Sequence, residues 1–190
     1  MDDGPDWLTK PTLRGRRVLL RPFGEQDIPA MAEALADPEV LKLTGSVHGR
    51  EETRRRPPEP DDELLAWYRS RGTADGRLDL AIVDLPTGNC VGEAVLNDYD
   101  PGNASCNFRT LIGPRGRDRG LGTEATRLIV GYGLTVLGLH RIELMVYAFN
   151  PRARRVYEKA GFRVEGTARD ALRFDDGWVD AIYMSILSTD

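Results

Sequence analysis

Between Gly113 and Ala125 the chain reads GPRGRDRGLGTEA, with four glycines and three arginines in one short run. An apolar stretch of strand type, SCNFRTLI (Ser105–Ile112), leads into it. A helical period leads out, with Leu121, Ala125, Leu128, Ile129, Tyr132 and Val136 at i+3 and i+4 spacing. Strand, glycine-rich turn and helix start, in that order, constrain what such a chain can fold into. The glycines let the backbone turn sharply and approach a ligand closely, and the first helical turn leaves N–H groups without partners. Together with the positive end of the helix dipole, those N–H groups make a place for an anion.

Several designs share that outline. A phosphate loop of the form GxxxxGK[ST] is excluded, because no lysine follows any of these glycines. A dinucleotide fingerprint would put Ala125 where its third glycine stands, which is tolerated, but it should open a βαβ unit. Here the run follows three strands at hairpin spacing. A third pattern, Arg-x-x-Gly-x-Gly, is met by Arg117-Asp118-Arg119-Gly120-Leu121-Gly122. A plain solvated basic turn is the remaining alternative.

Composition makes any anion site local. The 190 residues carry a formal net charge of −4, so general attraction to nucleic acid or to an anionic membrane is not expected. A hydrophobic share of 41% with 29% charged residues reads as one soluble globular domain spanning residues 1–190. Cys90 and Cys106 form no CxxC pair, and His48 and His140 lie far apart, so no metal site is expected. The acidic start MDDGPDWLTK does not read as a signal peptide, and no apolar run is long enough to span a bilayer. A cytoplasmic protein with reduced thiols is the expectation.

Along the chain, RRVLLRPF (Arg16–Phe23) reads as a strand, and GEQDIPAMAEALADPEV as a helix ending near Asp37-Pro38. The proline- and charge-rich segment at about 44–60 is expected to be a mobile loop, followed by a short helix in DDELLAWYRSR. Strands follow at Arg77–Asp84, Cys90–Asn97 and Ser105–Ile112. In the long helix after the glycine run, Gly131 and Gly133 are expected to allow close packing on the sheet. RIELMVYA (Arg141–Ala148) is a buried-type strand. NPRARRVYEKAG is a helix with Asn150 as N-cap, Pro151 at N1 and Gly161 past its end. Two strands close the chain. The order β-α-α-β-β-β-α-β-α-β-β predicts a mixed sheet carrying helices.

With these motifs in place, the chain resembles the GNAT superfamily of acyl-CoA-dependent N-acetyltransferases. Within it, the ribosomal-protein N-terminal acetyltransferase (RimJ/RimL-like) branch is the most similar. RVLLRPFGEQD is similar to that branch's opening, RGRDRGLGTEA to its pyrophosphate loop, and NPRARRVYEKAGF to its second cofactor motif. The resemblance implies an α/β (α+β mixed-sheet) fold whose mostly antiparallel sheet, flanked by helices, splays between the fourth and fifth of the strands read above. It implies acetyl-CoA (coenzyme A) as cofactor, with the pyrophosphate on the N–H groups of Arg119, Gly120, Leu121, Gly122 and Thr123. Arg117 and Arg119 would add charge, the pantetheine arm would lie along the backbone of Leu111 and Ile112, and Asn150 and Arg154 would make further contacts. Arg152 and Arg155, on the same basic helix, are with Arg154 within reach of the cofactor phosphates, although a solvated face is the default reading for all three.

Acyl transfer to an amine needs a neutral nucleophile, a stabilised oxyanion and a proton for the leaving thiolate. The resemblance implies Tyr157 as proton donor. Against that, Ala153, Val156, Tyr157 and Ala160 share a core-facing spacing. The branch's glutamate on the strand before the loop is replaced here by Asn107, an amide that cannot usefully take a proton. Glu93, alternating with Val91 and Val95 on the neighbouring strand, is the nearest substitute base, with Asp98 and Asp100 as further options or turn residues. Neither cysteine sits in a nucleophile arrangement. The expected partner is a small-molecule or peptide amine acceptor, and a homodimer is left open. The rival expectation is a catalytically weak acyl-CoA-binding or regulatory protein of the same fold.

Overall fold

The computed structural model describes residues 5–53 and 62–190. Strands β1 (Leu13–Arg14) and β2 (Val18–Pro22) open the fold, and four helices follow: α1 (Ile28–Ala36), α2 (Pro38–Leu43), α3 (Arg50–Thr53) and α4 (Asp62–Arg71). Next come β3 (Leu78–Asp84), β4 (Cys90–Asp100), β5 (Ser105–Ile112), α5 (Leu121–Thr135), β6 (Arg141–Tyr147), α6 (Pro151–Ala160), β7 (Arg163–Phe174) and β8 (Gly177–Leu187). The strands form one mixed sheet in the order β1-β2-β3-β4-β5-β6-β8-β7. Every neighbouring pair is antiparallel except β5 and β6. This is the expected GNAT architecture.

Helices cover both faces of the sheet because its central strands are apolar on both sides. Leu78, Leu80 and Ile82 of β3 pack with α5 and α6, while Ala81 and Val83 pack with α1, α2 and α4. Strand β3 is accordingly buried along its whole length, the continuous apolar pattern of a strand covered twice.

Several boundaries differ from the sequence reading, each for a local reason. The helix expected across Asp37-Pro38 is two helices. Asp37 precedes a proline, adopts an extended conformation and accepts a hydrogen bond from Val40 N, so it caps α2 instead of continuing α1. Strand β4 runs on to Asp100 through an irregular pairing with β5. Residues 44–53, expected within a mobile loop, include α3 and are tied to the β7–β8 turn: Asp175 N donates to His48 O, and Arg50 N donates to Asp175. The rest of that expected loop, from residue 54 on, lies outside the described residues. Of Gly131 and Gly133 in α5, the second alone permits close packing, since a Cβ on Gly133 would sit 2.9 Å from Ile142 Cδ1 while Gly131 faces open space.

The feature that positions the site is the pairing of β5 with β6, which covers only Ser105–Asn107 against Arg141–Glu143. Strand β5 stays paired with β4 as far as Ile112, and β6 stays paired with β8 as far as Tyr147. The two strands therefore part past Asn107 and leave a wedge-shaped gap. At Gly92 the backbone of β5 crowds so closely that a Cβ would lie 2.0 Å from Leu111 O, so the end of β5 leans over β4 just where it parts from β6.

Candidate active site

The gap opens beside the glycine-rich turn. Asp118 and Gly120 are both left-handed, with φ of 58° and 75°, and Gly120 caps α5 without a side chain. The first α5 N–H to find an acceptor is that of Glu124, bonded to Gly120 O at 3.3 Å. The N–H groups of Leu121, Gly122 and Thr123 are the orphan donors of this helix start, beside the positive end of its dipole. A Cβ on Gly122 would be 3.4 Å from Ile112 Cγ1, so this first turn rests against the end of β5. From Phe108 to Ile112, β5 has a strand partner on one side only. Gly120, Leu121, Gly122, Thr123, Leu111 and Ile112 are thus brought together along one edge of the gap.

The arginines of the turn are held by carboxylates of other elements. Arg119 forms a two-pronged pair with Asp84 at 3.0 and 3.0 Å. Asp84 is fully buried at the end of β3 and also accepts from Thr87 Oγ1 at 2.8 Å. Burial pushes the Asp84 carboxyl up, but the hydrogen bonds from Arg119 and Thr87 outweigh it and leave it below the usual carboxylate range. Arg117, only 15% exposed, is clamped between Asp37 and Glu39 of the α1–α2 corner. Arg115 pairs with Glu33 at 2.6 Å. The turn is therefore held in shape by ion pairs and by the N–H groups of Gly113 and Gly116, bonded to Val91 O and Gly113 O, while the N–H groups of Leu121, Gly122 and Thr123 stay open.

At the far side of the gap, Asn150 Oδ1 accepts from Ala153 N at 3.0 Å and caps α6. Arg152 reaches Glu39 at 2.8 Å, and Arg154 pairs with Glu158 on the exposed helix face. Tyr157 is buried with its ring edge-on to Phe108, centroids 6.0 Å apart, and 6.1 Å from Phe162. Phe108 is the first residue of β5 past the last β5–β6 pair, so Tyr157 stands at the point where the strands part. Burial alone pushes its phenol up to about 12, and no described residue hydrogen-bonds its hydroxyl.

On the opposite face of the sheet, Glu93 is 1% exposed; it keeps Val95 on its face, but Val91, expected to share that face, packs in the α5 cluster across the irregular β3–β4 pairing. Arg109 Nη1 lies 3.1 Å from Glu93 Oε1, and the Tyr68 hydroxyl of α4 lies 3.5 Å from Oε2. Burial raises the Glu93 carboxyl above its ordinary value, the Arg109 charge works against that, and the nearby Asp79 adds to it. Asp79 is itself buried and paired with Arg77 at 2.6 Å. A cavity of about 200 Å³ lies on this face beside Phe23, Ile28, Tyr68 and Asp79. Asn107 bonds Asn97 at 3.2 Å. Asp98 pairs with the Asn97 amide, and Asp100 organises its turn through Gly102 N and Asn103. Burial pushes the Cys90 and Cys106 thiols up to about 11 and about 12, far from the low value of a reactive thiolate.

Asp84, Tyr68 and Arg109 went unnoticed in the sequence. Arg109 shares a strand face with Asn107 and Leu111, and the observed register, Glu93 opposite Leu111 and Val95 opposite Arg109, turns that face toward Glu93. Asp84 and Tyr68 had no signal, since their partners are distant in sequence.

Among the described residues no group of three or more metal-binding side chains gathers, and no helix is long and apolar enough to cross a membrane. The family model for the acetyltransferase (GNAT) domain matches residues 17–163, so the chain belongs to the GNAT acetyltransferase family. It is similar to the spermidine N(1)-acetyltransferase of Escherichia coli (strain K12), 37% identical over 79 residues, which are 42% of this chain and 42% of that protein. It is also similar to the L-amino acid N-acetyltransferase of the same strain, 28% identical over 171 residues, 88% of this chain and 96% of that protein. The first of the curated relatives are matched over only about two fifths of their own length. A solved structure of spermidine N-acetyltransferase from Vibrio cholerae, in complex with CoA and spermine, superposes with a TM-score of 0.77 at 22% identity. That likeness covers 92% of this chain and 98% of the other, and it shows the fold.

GNAT acetyltransferases use acetyl-CoA. The residues present fit its phosphates: a left-handed glycine at 120, no side chain at 122, and three orphan N–H groups at the mouth of the gap.

Proposed function

We propose that this protein is an N-acetyltransferase that moves an acetyl group from acetyl-CoA to a primary amine by direct attack in a ternary complex. The observation that carries this reading is the parting of β5 from β6 past Asn107, with the open N–H groups of α5 at its mouth. The N–H groups of Arg119 to Thr123 hold the pyrophosphate, and the unpartnered edge of β5 at Leu111 and Ile112 holds the pantetheine arm. Arg119 and Arg117 hold the turn in shape through Asp84, Asp37 and Glu39, and Asn150 and Arg154 lie beside the cofactor on α6. When bound, acetyl-CoA supplies the acetyl group as an activated thioester.

The residues of this chain then manage protons on the two faces of the sheet. Glu93 takes a proton from the acceptor amine on the α1–α4 face, and its burial supports a carboxylate with raised proton affinity. Tyr157 Oη donates a proton on the α5–α6 face, its lack of a hydrogen-bond partner among the described residues leaving it available to a leaving group. The high thiols of Cys90 and Cys106 support transfer without an acyl-cysteine intermediate. Among acceptors, α-amines suit the site best: with a pKa of about 7.7–8 against about 10.4 for lysine, far more of the amine is already neutral at pH 7.

The finer assignments belong to this proposal too. They are the RimJ/RimL-like branch, carried by the three sequence motifs, a single domain over residues 1–190, and a cytoplasmic location. A second reading, a weakly catalytic acyl-CoA-binding protein, is favoured by the amide at Asn107 and by the Arg109 cover over Glu93. Thiol release from acetyl-CoA across a panel of α-amines, polyamines and lysine derivatives separates the two. Amine-dependent release supports the enzyme, and binding without turnover on every amine supports the alternative.

A further inference from the structure

The carboxylate of Glu39 occupies an unusual position. It stands on the first turn of α2 and binds two arginines from separate cofactor-side elements, Arg117 of the glycine-rich turn at 2.6 Å and Arg152 of α6 at 2.8 Å. Asp118 lies 3.7 Å from Arg152 and closes the group. The α5 and α6 starts flank the mouth of the gap, so Glu39 is an anion held between two cations where the phosphates of a cofactor would arrive. Arg117 is 15% exposed and has a second carboxylate in Asp37. Arg152 and Glu39 are 48% and 46% exposed, and an exposed pair of this kind is weak enough to be exchanged.

We propose that Glu39 is a built-in counter-anion of the cofactor site, which hands Arg117 and Arg152 over to the phosphates of coenzyme A when the cofactor binds. The exchange replaces one carboxylate by phosphate oxygens, which carry more charge and suit the planar guanidinium fork. Asp37 keeps Arg117 in place throughout and prevents its collapse into solvent. The handover also has a structural consequence. Freed of its two arginines, the first turn of α2 loosens, and α2 leads into residues 44–53, which touch the β7–β8 turn through His48 and Arg50. Cofactor binding is thereby transmitted through residues 44–53 to the β7–β8 turn. Glu39 acts through the arginines and is a positioning residue.

The inference rests on the cofactor placement proposed above, and the tests keep the two apart. Calorimetry with coenzyme A on the full chain is the first. If the wild type does not bind, the placement itself fails. If it binds, Glu39→Gln should bind about fivefold more tightly, the scale of removing one competing carboxylate whose two ion pairs are partly exposed and screened. That gain should vanish when Arg117 and Arg152 are both changed to Met. Unchanged or weaker binding in Glu39→Gln overturns the handover, as does an equal gain in the double-Met background, which would mark a general charge effect. Amide hydrogen exchange on the wild type tests it without any substitution. Adding coenzyme A should protect residues 121–124 and deprotect residues 38–43, and protection of both segments overturns the proposal.

Discussion

Replacing Gly122 by alanine separates cofactor binding from folding. A Cβ at this position meets Ile112 Cγ1 at 3.4 Å and Cδ1 at 4.0 Å, ordinary van der Waals distances. Gly122 is the second residue of α5 and has no positive φ. In such a helical site alanine is favoured over glycine by up to about 1 kcal/mol. For a chain of 190 residues, that corresponds to a rise of roughly 2–4 °C in Tm at most. Because a helical Cβ tilts toward the helix N-terminus, on the cofactor placement proposed above the same methyl group crowds the pyrophosphate. Coenzyme A affinity should then fall tenfold or more, about 1.4 kcal/mol, and Gly122→Val should fall further. Calorimetry beside a thermal melt reads both quantities. A folded Gly122→Ala with unchanged affinity would refute the placement, and a large loss of Tm would refute the packing argument.

Four further outcomes follow. Tyr157→Phe keeps the ring contacts with Phe108 and Phe162 and loses only a hydroxyl without a described partner, so Tm and coenzyme A affinity should hold while kcat drops about 10²-fold; silent turnover would make Tyr157 a core residue only. Glu93→Gln should erase the acidic limb of the kcat/KM profile, and a persisting limb would move the base elsewhere. Arg119→Met leaves Asp84 buried without its cation; because Arg119 is 36% exposed, the cost is about 2 kcal/mol, below the 3–5 of a fully buried pair, and a melt within 1 °C of wild type would sink it. Asp84 has a lowered folded value, so its contribution is present above the unfolded carboxylate value near pH 4 and is lost as pH falls through the folded one; Asp84→Asn should flatten this acid-side loss in a series of urea melts, and an unchanged slope would contradict it.

Much of the architecture was legible because short-range signals agreed with long-range ones. Ser105–Ile112 has the bounds expected from its apolar run, and α6 begins and ends where Asn150, Pro151 and Gly161 punctuate it. The two-residue β1 was too short to carry a pattern, and Asp37 could be read as a helix end but not as the cap of a new helix. The site was legible as backbone and much less so as charge. The glycines of the turn state their own purpose, since left-handed and side-chain-free positions are local properties. The arginines do not, because their partners Asp84, Asp37 and Glu39 come from elements more than thirty residues away. For the same reason the burial of Glu93 was legible from its apolar neighbours in β4, while its sheet face and its cover by Arg109 and Tyr68 needed the register of β4 with its neighbours and the seat of α4.

The central claim is that one edge of the β5–β6 gap, from Leu111 to Thr123, receives coenzyme A. A backbone amide NMR titration with coenzyme A tests it most directly. The amides of Gly120, Leu121, Gly122 and Thr123 should shift most, with Leu111 and Ile112 moving in step along one saturable curve. Shifts confined to the opposite face, around Phe23 and Tyr68, with residues 120–123 unmoved at saturation, would contradict the claim.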